Sequence, residues 1–185
     1  MLWLRYIPNA ICILRIALVC PTVQAIAKEK YLLALILFLL AALSDAIDGF
    51  LAKRFGWTSS LGKVLDPTAD KILLVTVFLQ CTWSGLLPAY IAAVAIGRDI
   101  MITLGAVVFR LWLGPIIENP SIISKINTGA QILLLVSVLI QRSYGFPTLI
   151  IISDLMMLVL ITTLLSGGHY LVRFVRRAWF MPETR

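Results

Sequence analysis

Six long apolar segments, separated by short breaks that contain charged residues, glycine or proline, constrain the fold of this chain more than any other feature. They cover roughly residues 8–27, 31–53, 62–83, 87–112, 121–141 and 147–172. A helix crosses the hydrocarbon core of a bilayer with about 20 predominantly apolar residues. Barrel strands are shorter and alternate apolar with polar residues, which these segments do not. The segments therefore predict an all-α integral membrane protein, with six transmembrane helices in a single domain over residues 1–185.

The composition excludes the common soluble classes. Hydrophobic residues make up 61% of the chain and charged residues 14%, against roughly 45–50% and ~25% in soluble domains. This balance excludes a soluble enzyme, a disordered chain and a disulfide scaffold. The formal net charge of +7 fits contact with anionic lipid headgroups, and so apolar a chain argues against nucleic-acid binding.

The distribution of basic residues predicts the orientation of the chain. Nine lysines and arginines flank one set of segment ends, whereas three flank the other. Because short cytoplasmic loops are enriched in Lys and Arg, both termini and the loop 54–61 should be cytoplasmic. We expect the inner membrane of a prokaryote.

The first residues allow two interpretations. Residues 2–5 combine two leucines, a tryptophan and an arginine, which is typical of a short interfacial anchor. A secretory signal is the alternative, because the stretch 25–27 imitates a cleavage site. Arg15 and Pro21 interrupt the apolar run of such a signal. We therefore expect an uncleaved chain with a short N-terminal interfacial segment before the first helix.

Four aspartates lie close together in the sequence where the second predicted helix ends and the third begins. They are Asp45, Asp48, Asp66 and Asp70, within 26 residues. At 3.6 residues per turn, the first two share one helix face and the last two share another. Adjacent antiparallel helices would bring all four together at the cytoplasmic surface. Four carboxylates in a low-dielectric setting need a counter-charge, and their oxygen atoms suit Mg²⁺ or Mn²⁺.

Small and basic residues accompany the aspartates. Gly49 and Gly62 leave room for a ligand to approach the helix backbone. Lys53, Arg54 and Lys63 could meet phosphate groups that the metal also contacts. The alternative is a solvated loop edge whose acids pair with neighbouring basic residues. Four acids with glycines in register favour a binding site, since ionisable groups at membrane depth are functional candidates.

The same residues resemble the signature of a known family. Residues 45–53, followed after eight residues by residues 62–70, are similar to the pattern DxxDGxxAR–x₈–GxxxDxxxD of the CDP-alcohol phosphotransferases, also called CDP-alcohol phosphatidyltransferases. Lys53 stands where that pattern has Arg, which keeps the positive charge but loses the bidentate fork of a guanidinium.

This resemblance implies an activity and a site. It implies a six-helix membrane enzyme, usually homodimeric, that transfers a phosphatidyl group from a CDP-linked donor to an acceptor hydroxyl and releases CMP. The implied metal ligands of paired Mg²⁺ or Mn²⁺ ions are Asp45, Asp48, Asp66 and Asp70. Asp70 is also the implied general base on the acceptor hydroxyl. The residues implied to bind the CDP moiety are Gly49, Ala52, Lys53 and Gly62.

Two further stretches resemble the CMP-forming cardiolipin-synthase branch of that family. Residues 98–101 (RDIM) and 123–131 (ISKINTGAQ) are similar to RDVM and ISKxNTxxQ, where phosphatidylglycerophosphate synthases more often have Arg-Glu and GKxKTxxQ. We identify Arg98, Lys125 and Asn127 as candidate contacts for the acceptor. An asparagine in place of the second lysine suits phosphatidylglycerol, a monoanionic diester, better than the dianionic glycerol 3-phosphate. The alternative is that Arg98 pairs with its neighbour in sequence, or that both basic side chains reach toward the interface.

Three hypotheses for the function follow. The first is transfer of a phosphatidyl group from CDP-diacylglycerol to phosphatidylglycerol, giving cardiolipin and CMP, and the second is transfer to glycerol 3-phosphate. A divalent-cation transporter is the remote alternative, because intramembrane carboxylates also mark ion pathways. A transporter would carry its acids near the bilayer midplane in two related halves, whereas these acids cluster at one surface and the sequence has no internal repeat.

Overall fold

The computed structural model describes residues 7–55, 62–113 and 121–179, and these residues form six helices. The helices are α1 (Ile7–Ala27), α2 (Tyr31–Phe55), α3 (Gly62–Trp83), α4 (Ala89–Leu113), α5 (Ile122–Tyr144) and α6 (Leu149–Trp179). Within them, side chains are described except at 7–10, 45–55, 62–68, 70, 109–113 and 177–179. The predicted all-α fold is confirmed over this part of the chain. The predicted N-terminal interfacial segment, residues 2–5, lies outside the described residues.

Three of these helices are long and apolar enough to cross a membrane. The qualifying stretches are Ala89–Val108 of α4, Ile122–Tyr144 of α5 and Leu149–Arg176 of α6. Shorter apolar stretches occur in the others, at Ile11–Ala27, Tyr31–Ser44 and Lys71–Trp83. By length and composition, the predicted membrane helices are therefore confirmed for α4, α5 and α6. The full set of six spans stays a prediction.

Left-handed residues end three helices at breaks that the sequence predicts. Glu29 adopts φ 58° after α1, and the amide of Lys30 donates to the carbonyl of Ala25 at 2.9 Å. Gly85 takes the same conformation after α3, with φ 68°, and Gly145 after α5, with φ 75°. This conformation lets amides beyond the helix pair with carbonyls of its last turn. Each of these three helices therefore ends at a residue that leaves the right-handed helical conformation.

The last helix extends further than the sequence predicts. α6 continues to Trp179 rather than ending at residue 172, where the apolar run stops. Residues 173–179 contain neither glycine nor proline and are rich in arginine, which is a good helix former. Arg173 and Arg176 are exposed. The predicted apolar span therefore lies within a longer helix, whose last part is basic.

The described helices form two compact units, and each has its own packing. The first unit is Met1–Pro88 with Leu135–Thr148, and the second is Ala89–Leu134 with Leu149–Arg185. In the first, α1 contacts α2 and α3, and α2 contacts α3, around buried side chains such as Phe38 and Phe78. In the second, α4 contacts α6, and the first half of α5 belongs to the same unit. The prediction of one domain over the whole chain stays a prediction.

Candidate active site

The four aspartates of the signature lie on two helices that contact each other. Asp45 and Asp48 belong to α2, Asp66 and Asp70 belong to α3, and the two helices contact each other within the first unit. The side chains of all four lie outside the described residues. The same holds for the predicted CDP-binding residues Gly49, Ala52, Lys53 and Gly62. Contact between the two helices meets the first requirement of a shared site, while the carboxylate cluster itself stays a prediction.

Arg98 of α4 connects the helices of the second unit. Its buried side chain donates from Nη1 to Asp99 Oδ1 at 2.5 Å. Nη2 donates to Ser124 Oγ at 2.6 Å and to Ser166 Oγ at 2.5 Å, which ties α4 to α5 and α6. A guanidinium suits this role because it carries five N–H donors in a planar fork. The alternative interpretation of Arg98 as the partner of Asp99 is confirmed, and the structure adds the two serines.

Polar pairs join the start of α5 to α6 in a regular order. The amide of Ser121 donates to Tyr170 Oη at 3.4 Å, Ser124 and Ser166 share the guanidinium of Arg98, and Asn127 meets Thr163. Each step forward on α5 is three residues, and its partner on α6 moves back by three or four. The two helices are therefore antiparallel here, and one turn separates successive pairs. We call this set of pairs the polar ladder.

Asn127 is fully buried, and two threonines of α6 fix its side-chain amide. Its Oδ1 accepts from Thr162 Oγ1 at 2.9 Å and from Thr163 Oγ1 at 2.8 Å. The Thr162 hydroxyl also lies 2.8 Å from the carbonyl of Leu158, so Thr163 is the donor most committed to Asn127. Because Oδ1 faces the threonines, Nδ2 faces away from them, and it has no hydrogen-bond partner among the described residues.

Three buried N–H donors of the second unit lack an acceptor within the described part of the chain. They are Arg98 Nε, Asn127 Nδ2 and Gln131 Nε2. Gln131 is 2% exposed and lies four residues after Asn127, on the same face of α5. A buried donor left unpaired costs about 1–3 kcal/mol. The arrangement therefore favours a ligand that supplies acceptor oxygens, such as those of a phosphate, an ester or a hydroxyl group.

Lys125 lies apart from this buried set. It is exposed, whereas Arg98 and Asn127 are buried. The reason is helical geometry, since two residues along α5 correspond to about 200° around the helix axis. Of the three predicted acceptor contacts, the structure therefore places Arg98 and Asn127 on neighbouring pairs of the polar ladder and Lys125 on another face.

Sequence reasoning missed the α6 side of the polar ladder. Thr162 and Thr163 lie four and three residues before Ser166, so all three lie on one side of the helix. That spacing within a long apolar segment is the signal that could have identified them. Ser124 lies in the stretch 123–131 that carries the resemblance, but the sequence assigns it no partner.

Comparisons with known proteins agree with the resemblance. Residues 5–167 match the model of a family described as CDP-alcohol phosphatidyltransferase. The human CMP-forming cardiolipin synthase is 30% identical over 180 residues, which cover 89% of this chain and 60% of that protein. The CDP-diacylglycerol–glycerol-3-phosphate 3-phosphatidyltransferase of Aquifex aeolicus (strain VF5) is 32% identical over 170 residues, covering 90% of this chain and 94% of that protein. A chloroplastic enzyme of the latter name from Oryza sativa subsp. japonica is 32% identical, with 91% and 56% covered.

These relatives differ in acceptor and in length. Their names divide between the two acceptors that the sequence predicts. This chain spans about 60% of the length of the human and rat proteins it matches. The matched residues 5–167 include both signature helices and the polar ladder as far as Ser166.

Proposed function

The chain belongs to the CDP-alcohol phosphatidyltransferase family, and from that premise we propose that it makes cardiolipin. The reaction transfers a phosphatidyl group from CDP-diacylglycerol to a hydroxyl of phosphatidylglycerol and releases CMP. The hydroxyl oxygen forms a bond to the phosphorus that carries diacylglycerol, and the bond from that phosphorus to the CMP oxygen breaks. The proton of the hydroxyl passes to the carboxylate of Asp70, which acts as the general base.

The fixed amide of Asn127 is the observation that carries the choice of acceptor. Two hydroxyls of α6 hold Oδ1, so the uncharged Nδ2 donor is left for a ligand. By the family resemblance, the enzymes that use glycerol 3-phosphate more often have a lysine here. Because Asp99 already balances the charge of Arg98, an uncharged Nδ2 donor beside this pair suits the monoanionic phosphatidylglycerol better than the dianionic glycerol 3-phosphate. Lys125 is exposed on another face of α5, and its contact with the acceptor stays a prediction.

The signature aspartates supply the donor side of the proposed reaction. Asp45 and Asp48 on α2, with Asp66 and Asp70 on α3, would hold paired Mg²⁺ or Mn²⁺ ions, because these ions prefer carboxylate oxygens and the two helices are in contact. When bound, such ions offset the negative charge of a diphosphate and stabilise the leaving CMP. Residues that would contact the CDP moiety are Gly49, Ala52, Lys53 and Gly62.

The proposed setting is a membrane enzyme with six spans, in the inner membrane of a prokaryote, with its active site facing the cytoplasm. Three helices that meet the length and composition of a span support the first point, and the excess of Lys and Arg on one side supports the orientation. A homodimer is part of the proposal, on the family resemblance alone.

Glycerol 3-phosphate is the second candidate acceptor. The Aquifex aeolicus enzyme that is named for it matches this chain over 94% of its own length, a more complete match than the 60% of the human cardiolipin synthase. A chain of this size therefore suffices for that activity in a relative.

Release of CMP by the purified full chain tests the proposed function. The protein in detergent receives CDP-diacylglycerol, Mg²⁺ or Mn²⁺, and one acceptor at a time. We expect CMP and cardiolipin with phosphatidylglycerol, and loss of both products when a chelator removes the metal. CMP released with glycerol 3-phosphate alone would select the second candidate, and CMP with neither acceptor would contradict both.

A further inference from the structure

An open groove lies between α4 and α6, beside the polar ladder. Its volume is about 360 Å³, within the range of small-molecule sites. Its apolar lining includes Val94, Gly97, Met101, Leu164, Gly168 and Leu171. These residues, with their neighbours, extend over eight residues of each helix, which is about 12 Å of helix length. The groove is therefore a slot that runs along the helices, as a fatty acyl chain runs along a membrane helix.

Glycines keep this slot open. A Cβ atom at Gly97 or at Gly168 would meet no atom within 4 Å. Elsewhere the same two helices are tightly packed, since a Cβ at Gly105 would lie 2.7 Å from Cζ of Phe174. α4 and α6 are therefore close together near Gly105, and the open space at Gly97 and Gly168 is confined to one part of their length.

The lining of the slot also contains two polar residues. Arg98 and Thr163 both line it. The guanidinium of Arg98 is about nine-tenths buried, and its Nε has no hydrogen-bond partner among the described residues. An apolar slot with the unpaired Nε donor of Arg98 at its side fits an amphiphile that has an acceptor oxygen and a hydrocarbon chain.

We propose that this slot binds an acyl chain of the phosphatidylglycerol acceptor, with the acceptor's phosphate or ester oxygen near Arg98. The inference rests on the proposed function and deepens it, because only a lipid acceptor has a chain to place there. Glycerol 3-phosphate has the phosphate but would leave the slot empty. The acyl chain comes from an apolar bilayer, so the favourable term is its van der Waals packing against the lining of the slot.

Filling the slot tests the proposal. Leucine at either position, in Gly97→Leu or Gly168→Leu, projects into open space and favours a helix more than glycine does, so the fold should be retained. Gly129→Leu is the matched control, because Gly129 also has no atom within 4 Å of a Cβ and lies on α5 outside the slot. Thermal unfolding of all three variants checks that the fold is intact.

The first measurement is crosslinking, which needs no turnover. Phosphatidylglycerol with a photoactivatable acyl chain is added to the full chain in phosphatidylcholine nanodiscs, and the crosslinked peptides are identified by mass spectrometry. We expect labelling at Met101 and Leu164, reduced about tenfold in both slot variants and unchanged in Gly129→Leu. A phosphatidylcholine probe should label these residues less, because it has no net negative charge for Arg98. Equal labelling by the two probes, or undiminished labelling in the slot variants, would overturn the proposal.

The second measurement is the KM for acceptors of different chain length. In the slot variants we expect the KM for long-chain phosphatidylglycerol to rise about tenfold, which corresponds to about 1.4 kcal/mol. The KM for dihexanoyl phosphatidylglycerol and for CDP-diacylglycerol should not change. Equal losses for both chain lengths, together with a changed oligomeric state, would show that a second copy covers this face and would overturn the proposal. A wild-type protein that is crosslinked as expected but forms no cardiolipin would contradict the proposed function and would support the lipid site.

Discussion

The two units of this protein show two different ways in which a sequence encodes a site. In the first unit, the signature aspartates occupy one turn at the end of α2 and two turns at the start of α3, so the site is nearly continuous in sequence. In the second unit, the polar ladder joins Arg98, Ser124 and Ser166 across 68 residues. The first site can be recognised as a linear pattern, whereas the second appears only when three helices are assembled.

The comparison also assigns different chemistry to the two regions. Carboxylates at helix ends suit the metal ions and the diphosphate that every member of such a family must handle. Buried hydroxyl and amide groups, by contrast, suit recognition of one uncharged or singly charged acceptor. We therefore expect changes in the first unit to abolish transfer with any acceptor. Changes in the second unit should alter which acceptor is used, and how well.

The largest expected effect is at Asp70. Asp70→Asn removes the proposed general base and should lower kcat by about 10³-fold, within the range for such catalysis, while binding of CDP-diacylglycerol is largely retained. Asp154→Asn is the matched control, because Asp154 is an exposed acid of α6. Single-turnover CMP release and donor binding are measured on both variants. Activity like that of the wild type in Asp70→Asn would remove Asp70 from this role.

Next in size is the effect of Arg98→Gln on stability. The change leaves Asp99 without its cation. It also removes the guanidinium N–H groups that donate hydrogen bonds to Ser124 and Ser166. Loss of one partner of a buried ion pair costs about 3–5 kcal/mol, and we expect a decrease in the free energy of unfolding near the lower value. Arg142→Gln, at an exposed arginine, should leave stability unchanged. Denaturant unfolding in detergent compares the two, and equal stability would show that the ladder is not a structural element.

A smaller effect, specific to the acceptor, is expected at Asn127. Asn127→Lys introduces a second buried cation, which favours a dianionic acceptor over a monoanionic one. The ratio of kcat/KM for phosphatidylglycerol to that for glycerol 3-phosphate should fall by at least about tenfold, equivalent to 1.4 kcal/mol. Asn127→Asp retains an oxygen for the threonine hydroxyls but loses the N–H donor. This variant should lower kcat/KM for phosphatidylglycerol without raising kcat/KM for glycerol 3-phosphate. An unchanged ratio of the two kcat/KM values in Asn127→Lys would show that Asn127 does not determine which acceptor is used.

The smallest effect is expected at Thr163. Thr163→Val removes the hydroxyl that fixes Asn127 and should raise the acceptor KM about fivefold, the equivalent of one hydrogen bond of about 1 kcal/mol. The donor KM should stay the same, and Thr163→Ser should restore the acceptor KM. Thr22→Val is the control, because the Thr22 hydroxyl is buried and donates to the Leu18 carbonyl of its own helix. Parallel increases in both KM values would indicate a structural role only.

Much of the helical layout follows from the sequence. The starts of α2 and α3 agree with the predicted segments, because charged residues break the apolar run before α2, and Arg54, Gly56 and polar residues break it before α3. The end of α6 does not agree, since Arg173 and Arg176 continue the helix beyond its apolar part. Hydropathy reports where a helix meets lipid, while helix propensity and capping decide where it ends.

The candidate site is less evenly predictable. Arg98 and Asn127 were identified from the sequence, but their partners on α6 were not, because a hydrogen bond between distant helices leaves no local signal. Lys125 and Asn127 belong to the same stretch, 123–131, that resembles the family. The helical period nevertheless places Lys125 on another face of α5. The aspartates remain identified by their pattern alone.

A competition between the two acceptors tests the central claim most directly. The purified full chain receives CDP-diacylglycerol, Mg²⁺ or Mn²⁺, and equal concentrations of phosphatidylglycerol and glycerol 3-phosphate in one reaction. Lipid products are separated and quantified by mass spectrometry alongside CMP. We expect cardiolipin as the main lipid product, in a molar amount that matches CMP. Phosphatidylglycerophosphate as the main product, with phosphatidylglycerol unconsumed, would contradict it.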